Sequence, residues 1–352
     1  MGLKVGIVGL PNVGKSTLFN ALTSSSVVSA NYPFCTVDPN IGKISICDDR
    51  LEQLAYVDKP LRVIKETIEI VDIAGLVRGA SAGEGLGNQF LANIREVDLI
   101  IHLLRCFKNK NIIHVETRVD PFADKDIVDT ELQLKDLESV NKRLEGVTKR
   151  LNSGDTEAFK TVEVLHKLQQ LLEKGRNIRD GIFDDQEKNI INTFQLLTFK
   201  PVIYVANVDD NDDDIVRELK ENISSDIISL PVGVGEMLTR LTSEEENVFA
   251  DEMVSWNSKV LSLTKIIMYK LNMITFFTSG SDETRAWNII TGTKAPSAAA
   301  KIHTDFQKKF IKADVCEVGH YCSYKRNGEK VLWRTEGRDY VVHDGDVLVF
   351  KI

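Results

Sequence analysis

"GLPNVGKST" (residues 9–17) follows directly on the apolar run "LKVGIV" (3–8). The spacing Gly9-x-x-x-x-Gly14-Lys15-Ser16 is that of a phosphate-binding loop set between a strand and a helix. Glycine lets backbone N–H groups turn inward and approach phosphate oxygens closely. A helix beginning near Lys15 adds the positive end of its dipole to that nest. Lys15 is expected to reach the β- and γ-phosphates, and Ser16 to place its hydroxyl on Mg2+.

Two further segments fall where such a site needs them. Asp72-Ile73-Ala74-Gly75 ends the strand-like run 67–73. An Asp there holds Mg2+ through water, and the Gly N–H faces the γ-phosphate. Thr36, in "NYPFCT", offers a second hydroxyl to Mg2+ from a loop that orders when the γ-phosphate is present. Lys15, Asp72 and Gly75 are therefore the candidate catalytic residues, and Ser16 and Thr36 the candidate metal ligands. Cys35 beside Thr36 suggests a redox-sensitive switch loop, the competing reading being an incidental thiol.

The base is read at Asn207-Val208-Asp209-Asp210, where nucleotide-switch GTPases carry Asn-Lys-x-Asp. Guanine presents N1–H and a 2-amino group to a carboxylate, whereas adenine presents an acceptor at N1. Asp210 thus favours GTP, while Val208 lacks the long stem that covers guanine. Leu76 stands directly after Gly75, where many switch GTPases place a water-orienting Gln. Leucine does not polarise water, so unaided hydrolysis should be slow. His102 lies in a strand-like run and reads as a core histidine. No catalytic base is assigned to it or to His114.

Continuous apolar runs at 4–10, 67–75, 98–106 and 200–208, with helical stretches at 15–24 and 85–95, predict a mostly parallel α/β sheet covered on both faces. In 126–198, Leu137, Val140, Leu144, Val147 and Leu151 are spaced 3, 4, 3, 4, and Leu165, Leu168 and Leu172 follow the turn "NSGD". That pattern predicts an antiparallel helical hairpin. A third helix is expected to carry Ile190, Phe194 and Leu197, and Ser243 with Glu246 to cap a further one. From about 275, β-branched and aromatic runs flank "APSAAAKIHTDFQKKFI", which predicts a small α+β domain with one helix.

The formal charge of −8 divides into +2 from residue 279 onward and −10 before it, which favours the C-terminal part as the side facing RNA or another anion. Five scattered cysteines without a CxxC suit a reducing compartment. The longest strongly apolar run, "LIIHLL" (99–104), is too short to span a bilayer, and the N-terminus lacks a signal-peptide pattern. A cytoplasmic protein without membrane association is expected, and nothing demands a dimer.

"GIVGLPNVGKSTLFNALT", "DIAGLVRGASAGEGLGNQFL", "FFTSGSDETRAW" and "APSAAAKIHTDFQKKFIKADV" resemble the YchF, or Obg-like ATPase, family over nearly the whole chain. The resemblance implies a P-loop G domain (1–125 and 199–274), a helical coiled-coil insertion (126–198) and a C-terminal β-grasp TGS domain (275–352). It also implies ATP as the nucleotide, slow Mg2+-dependent hydrolysis as a switch, and association with the ribosome. Carried over, the phosphate site is Asn12, Val13, Gly14, Lys15, Ser16 and Thr17, and the base contacts are Asn207 and Val208. Asp210 stands where the family has Glu. The readings that compete with an ATPase are a GTPase translation or ribosome-assembly factor, and a non-enzymatic stress-regulating scaffold in which nucleotide only stabilises the fold.

Overall fold

The computed structural model describes residues 2–27, 40–73, 86–109, 119–152, 158–209, 213–223 and 225–352. Cys35, Thr36, Gly75, Leu76, His114, Asp210 and the turn at 153–155 lie outside the described residues. In chain order come β1 (Leu3–Val8), α1 (Lys15–Val27), β2 (Ile41–Ser45), α2 (Asp49–Asp58), β3 (Arg62–Ile64), β4 (Thr67–Asp72), α3 (Leu86–Glu96) and β5 (Leu99–Arg105). Then follow α4 (Pro121–Asn152), α5 (Ala158–Glu173), α6 (Asp185–Asn192), β6 (Val202–Asn207), α7 (Asp213–Asn222), β7 (Ile227–Leu230), α8 (Val232–Leu238) and α9 (Ala250–Lys270). The remainder is β8 (Met273–Ser279), β9 (Glu283–Ile290), α10 (Ala295–Ile302), α11 (Thr304–Lys308), β10 (Lys312–Glu317), α12 (Val318–Arg326), β11 (Arg334–Glu336) and β12 (Asp346–Lys351). They form two compact units, Met1–Ile44 with Glu69–Val260, and Ser45–Ile68 with Leu261–Ile352.

The first unit is built on a six-stranded sheet in the order β2-β4-β1-β5-β6-β7. β1 pairs with β5, β5 with β6 and β6 with β7, each in parallel. β5 and β6 are buried at every position, as their unbroken apolar sequences require. Their carboxyl ends lie beside that of β1, which is where an open α/β sheet receives a ligand.

The helical hairpin forms as expected. Val140 of α4 and Val164, Leu165, Leu168 and Leu172 of α5 share one core, with Leu137, Leu144 and Val147 packed against it. Gln169 meets Asn141 at 2.9 Å and Gln133 meets Asn177 at 2.9 Å, so the pairs close on the intervening turn and the segments run antiparallel. The third helix is shorter than expected. α6 carries Ile190 but ends at Asn192, and Phe194 and Leu197 lie beyond it. The chain leaves the helical path at Gln195, which takes φ 52°, and at the extended Leu196, and the buried Asp136 carboxylate then accepts from the backbone N–H groups of Leu197 and Thr198 and from the Thr198 hydroxyl at a single 3-10 turn, Leu197–Phe199.

The expected cap at Ser243 is also displaced. Glu245 accepts from Thr242 N and Oγ1, both at 2.9 Å, and 243–249 remains in turns before α9 begins at Ala250.

The second unit holds a mixed sheet in the order β11-β10-β12-β8-β9-β3. β8 and β9 are antiparallel, and the short edge strand β3 pairs with β9 in parallel. Leu51 and Leu54 of α2 are fully buried in this unit's core, against Phe277, Tyr321 and Val347. The single helix expected after 275 is corrected to three. α10 starts with Pro296 in its first turn, but His303 adopts an extended backbone and accepts from Asp305 N at 3.2 Å, which starts α11. α12 follows β10 and buries Val318, Tyr321 and Cys322. Asp58, at the end of α2, has a side chain only 3% exposed and pairs with Lys325 at 2.8 Å. It also accepts from Ser279 Oγ at 2.5 Å and Tyr321 Oη at 2.7 Å.

Candidate nucleotide site

The loop after β1 has the conformation its glycines were read to allow. Gly14 adopts φ +100°, and a Cβ there would lie 2.7 Å from Asn207 Nδ2. At Gly9 a Cβ would lie 2.6 Å from the Leu103 carbonyl oxygen. Asn12 takes a left-handed φ of 63°, which asparagine tolerates better than most residues. Leu18 N–H donates to Gly14 O at 2.8 Å, so α1 starts directly from the loop. Val13 is fully buried, so its contribution to a ligand site is its backbone.

Lys15 is 8% exposed, and its Nζ donates to Leu10 O at 2.8 Å. Burial lowers its pKa to about 8, with Asp72 acting in the opposite direction. Ser16 Oγ donates to Asp72 Oδ2 at 2.7 Å. Asp72 Oδ1 is buried and has no hydrogen-bond partner among the described residues. A buried carboxylate oxygen left unpaired beside a serine hydroxyl and a lysine suits a hydrated divalent cation. These side chains converge from two points of the chain: the start of α1, which supplies Lys15 and Ser16, and the end of β4, which supplies Asp72.

Asn207 closes the site from β6. Its side-chain Nδ2 donates to Val13 O at 2.9 Å, and its Oδ1 accepts from Val232 N at 3.3 Å. The amide therefore fastens the phosphate loop to the segment read as the base site. Val208 is half-buried, with its N–H on Leu230 O at 3.1 Å. Thr17 lies on α1 directly after Ser16. Thr36 and Gly75 lie outside the described residues, so the set brought together is Lys15, Ser16, Asp72 and Asn207.

His102 is 2% exposed in β5, with Nε2 unpartnered among the described residues and its ring centroid 5.4 Å from that of Tyr204. Burial drops its pKa to about 4, so it is a neutral core residue at pH 7. Arg105 was passed over in the sequence. It closes β5 fully buried, its Cα paired with that of Asn207. A charged residue ending an otherwise apolar strand was the available signal.

Comparison with known proteins agrees with this architecture. A family model described as "50S ribosome-binding GTPase" matches residues 4–142. A second, YchF-GTPase_C, described as "Protein of unknown function (DUF933)", matches 273–352. The "Ribosome-binding ATPase YchF" of Haemophilus ducreyi is 44% identical, with 100% of this chain and 99% of that protein covered. The protein of the same name from Bacillus subtilis is 40% identical over 100% of this chain and 99% of its own length. The solved "Schizosaccharomyces pombe YchF GTPase" superposes with a TM-score of 0.84 at 39% identity, covering 99% of this chain and 98% of the other. With its fold, its phosphate loop and its full length matched, this chain belongs to the YchF family.

Proposed function

We propose that the chain is a slow, Mg2+-dependent ATPase that acts as a nucleotide switch on the ribosome, working in the cytoplasm as a monomer. The observation that carries this reading is the cluster of Lys15, Ser16 and Asp72, with one Asp72 carboxylate oxygen unpaired among the described residues. ATP and the ribosome come from the names of full-length relatives. Among the described residues no helix is long and apolar enough to cross a membrane.

In this reading the Lys15 ammonium exchanges the Leu10 carbonyl for the β- and γ-phosphates. The backbone of Asn12 to Thr17 cradles the phosphate chain. Ser16 and Asp72, with Thr36, hold Mg2+, which when bound neutralises charge on the β- and γ-oxygens. The Gly75 N–H faces the γ-phosphate. Asn207 and Val208 receive the base, and the aliphatic Val208 suits adenine. The three-part division into G domain (1–125 and 199–274), helical insertion (126–198) and TGS domain (275–352) is kept as the functional one, with insertion and TGS domain turned to the partner.

A competition titration with Mg-ATP and Mg-GTP tests the proposal: ATP is expected to bind more tightly, and Lys15→Ala to abolish hydrolysis. Equal or tighter binding of GTP rejects the ATP assignment. The second reading, a GTPase, is favoured by Asp210. Asp210→Asn separates the two, because a guanine site loses GTP affinity sharply and an adenine site changes little.

A further inference from the structure

The second unit leaves positive charge uncovered at one end of its sheet. Lys308 ends α11, Lys309 follows it and Lys312 opens β10, all three exposed. The exposed Arg338 joins them from the loop after β11, its Nη1 donating to Phe310 O at 2.9 Å. Lys351 joins them from β12. Its carbonyl accepts from Ile311 N–H at 2.9 Å, and its Cα pairs with that of Lys312. Among the described residues Lys308, Lys309, Lys312 and Arg338 make no ion pair, and Lys351 Nζ lies 4.0 Å from Asp314. Elsewhere in this unit Arg50, Lys294, Lys325 and Arg334 each meet a carboxylate at 2.6–2.8 Å.

Two ordinary readings of surface lysines fail here. Lysine guards the open edge of a sheet against pairing with another chain. β10 and β12 are inner strands, in the order β11-β10-β12-β8. A merely solvated surface intersperses both signs. Lys312 and Lys351 instead stand directly opposite each other on one face, which destabilises a sheet.

The cations also lie on both flanks of the sheet end. Ala313 and Phe350, the sequence neighbours of Lys312 and Lys351, turn into the core that α10 covers, so by strand alternation the two lysines project from the other face. Phe310, which anchors Arg338, belongs to that same core, so Arg338 takes the α10 side. Ile311 stands between the two groups, 66% exposed. A ridge charged on both flanks fits a polyanion that presents two rows of charge, as the two strands bordering a nucleic-acid groove do. An extended acidic peptide offers only one row.

We propose that this ridge, built from Lys308, Lys309, Lys312, Arg338 and Lys351, docks onto the phosphate backbones of double-helical RNA. The choice of RNA rests on the reading of the ribosome as partner, and it names RNA phosphates rather than ribosomal protein as what this surface meets. Recognition is by charge and groove shape, without base readout.

The test uses the full chain and a fluorescent RNA duplex of mixed sequence, titrated by anisotropy over a series of salt concentrations, with co-sedimentation on purified ribosomes beside it. Lys309→Gln and Lys312→Gln are each expected to weaken duplex binding and to lower its salt slope by about one phosphate contact, and the double variant by about two. Ile311→Ser and Lys220→Gln, the latter an exposed charge of the first unit, should bind the duplex as the wild type does. ATP hydrolysis should be unchanged in all of them. Wild-type affinity and slope in the double variant overturn the proposal, and so does absence of duplex binding by the wild type. An equal loss in Lys220→Gln overturns it too, because net charge alone then accounts for the binding. Loss of ribosome binding in Ile311→Ser with duplex binding intact assigns the ridge to a protein partner and likewise overturns it. If the wild type binds the duplex through these lysines yet does not co-sediment with ribosomes, the ribosome reading falls and the RNA surface stands. Should the double variant melt below the wild type, Lys308→Gln with Lys351→Gln takes its place.

Discussion

Asp72 and Asp58 are both aspartates withdrawn from solvent at the end of a secondary-structure element, and the structure treats them in opposite ways. Asp58 closes α2 with Ser279, Tyr321 and Lys325 on its oxygens. Burial alone would raise its pKa, but those partners hold it below the ordinary carboxylate value. Asp72 closes β4 with one oxygen on Ser16 and the other without a hydrogen-bond partner among the described residues. A fully partnered buried charge reports on stability, whereas a partly partnered one marks where a ligand completes the set.

Exchanging each carboxylate for an amide sharpens that contrast. Asp58→Asn should cost about 3 kcal/mol in urea unfolding, because Lys325 loses its counter-charge and the hydroxyls lose an acceptor. Nucleotide affinity of the folded fraction should not change. If this variant melts as the wild type does, the lock around Asp58 contributes nothing. Asp72→Asn should do the reverse, cutting Mg2+-dependent hydrolysis about a hundredfold while metal-free stability changes by less than about 0.5 kcal/mol. Comparable destabilisation by both variants would erase the distinction.

Acid should bear on the two units through different groups. In the first, His102 is neutral in the fold down to about pH 4, whereas the unfolded chain takes up that proton near pH 6.5. The unfolded state therefore binds more protons across that window, and stability falls as pH drops from about 6.5 to 4. The groups acting on His102 are Asp129, Lys125, Arg179 and Lys15, with the Tyr204 ring beside it. Asp129 is itself held below its usual value by Arg179 and Lys125, so its contribution is lost at lower pH still. His102→Gln should flatten the upper part of this acid limb in a urea series from pH 7 to 4; an unaltered slope would show that His102 does not set it. The smallest effect is expected for Tyr321→Phe, which removes one hydroxyl from Asp58 and should cost about 1 kcal/mol by thermal melting.

The nucleotide loop was legible because phosphate chemistry dictates residue types at fixed spacing, and neighbours in sequence supply most of the contacts. Gly14, Lys15 and Ser16 needed only a strand before them and a helix after. The antiparallel hairpin was legible from the spacing of Val140, Leu165 and Leu168, since helical periodicity alone names a buried face. That spacing does not name what covers the face. Leu51 and Leu54 announce that α2 is half apolar, but their partners Phe277, Tyr321 and Val347 lie more than two hundred residues further along. Asp58 was hidden for the same reason. Phe194 and Leu197 kept helical spacing, yet the chain turns at Gln195 and a distant carboxylate, Asp136, holds the backbone N–H groups of Leu197 and Thr198. Arg105 was overlooked because a charged residue ending a strand looks like a solvent-facing terminus until Asn207 is seen beside it.

The excursion of residues 45–68 into the second unit has a practical consequence for anyone dividing this polypeptide. A fragment starting at Leu261 would lack the two leucines that fill its interior, the anchor for Lys325 and the strand bordering β9. A fragment stopping at Val260 would carry a greasy helix with nothing to lie against. No single cut yields two self-sufficient halves, so a protease acting between them should leave both pieces noncovalently joined.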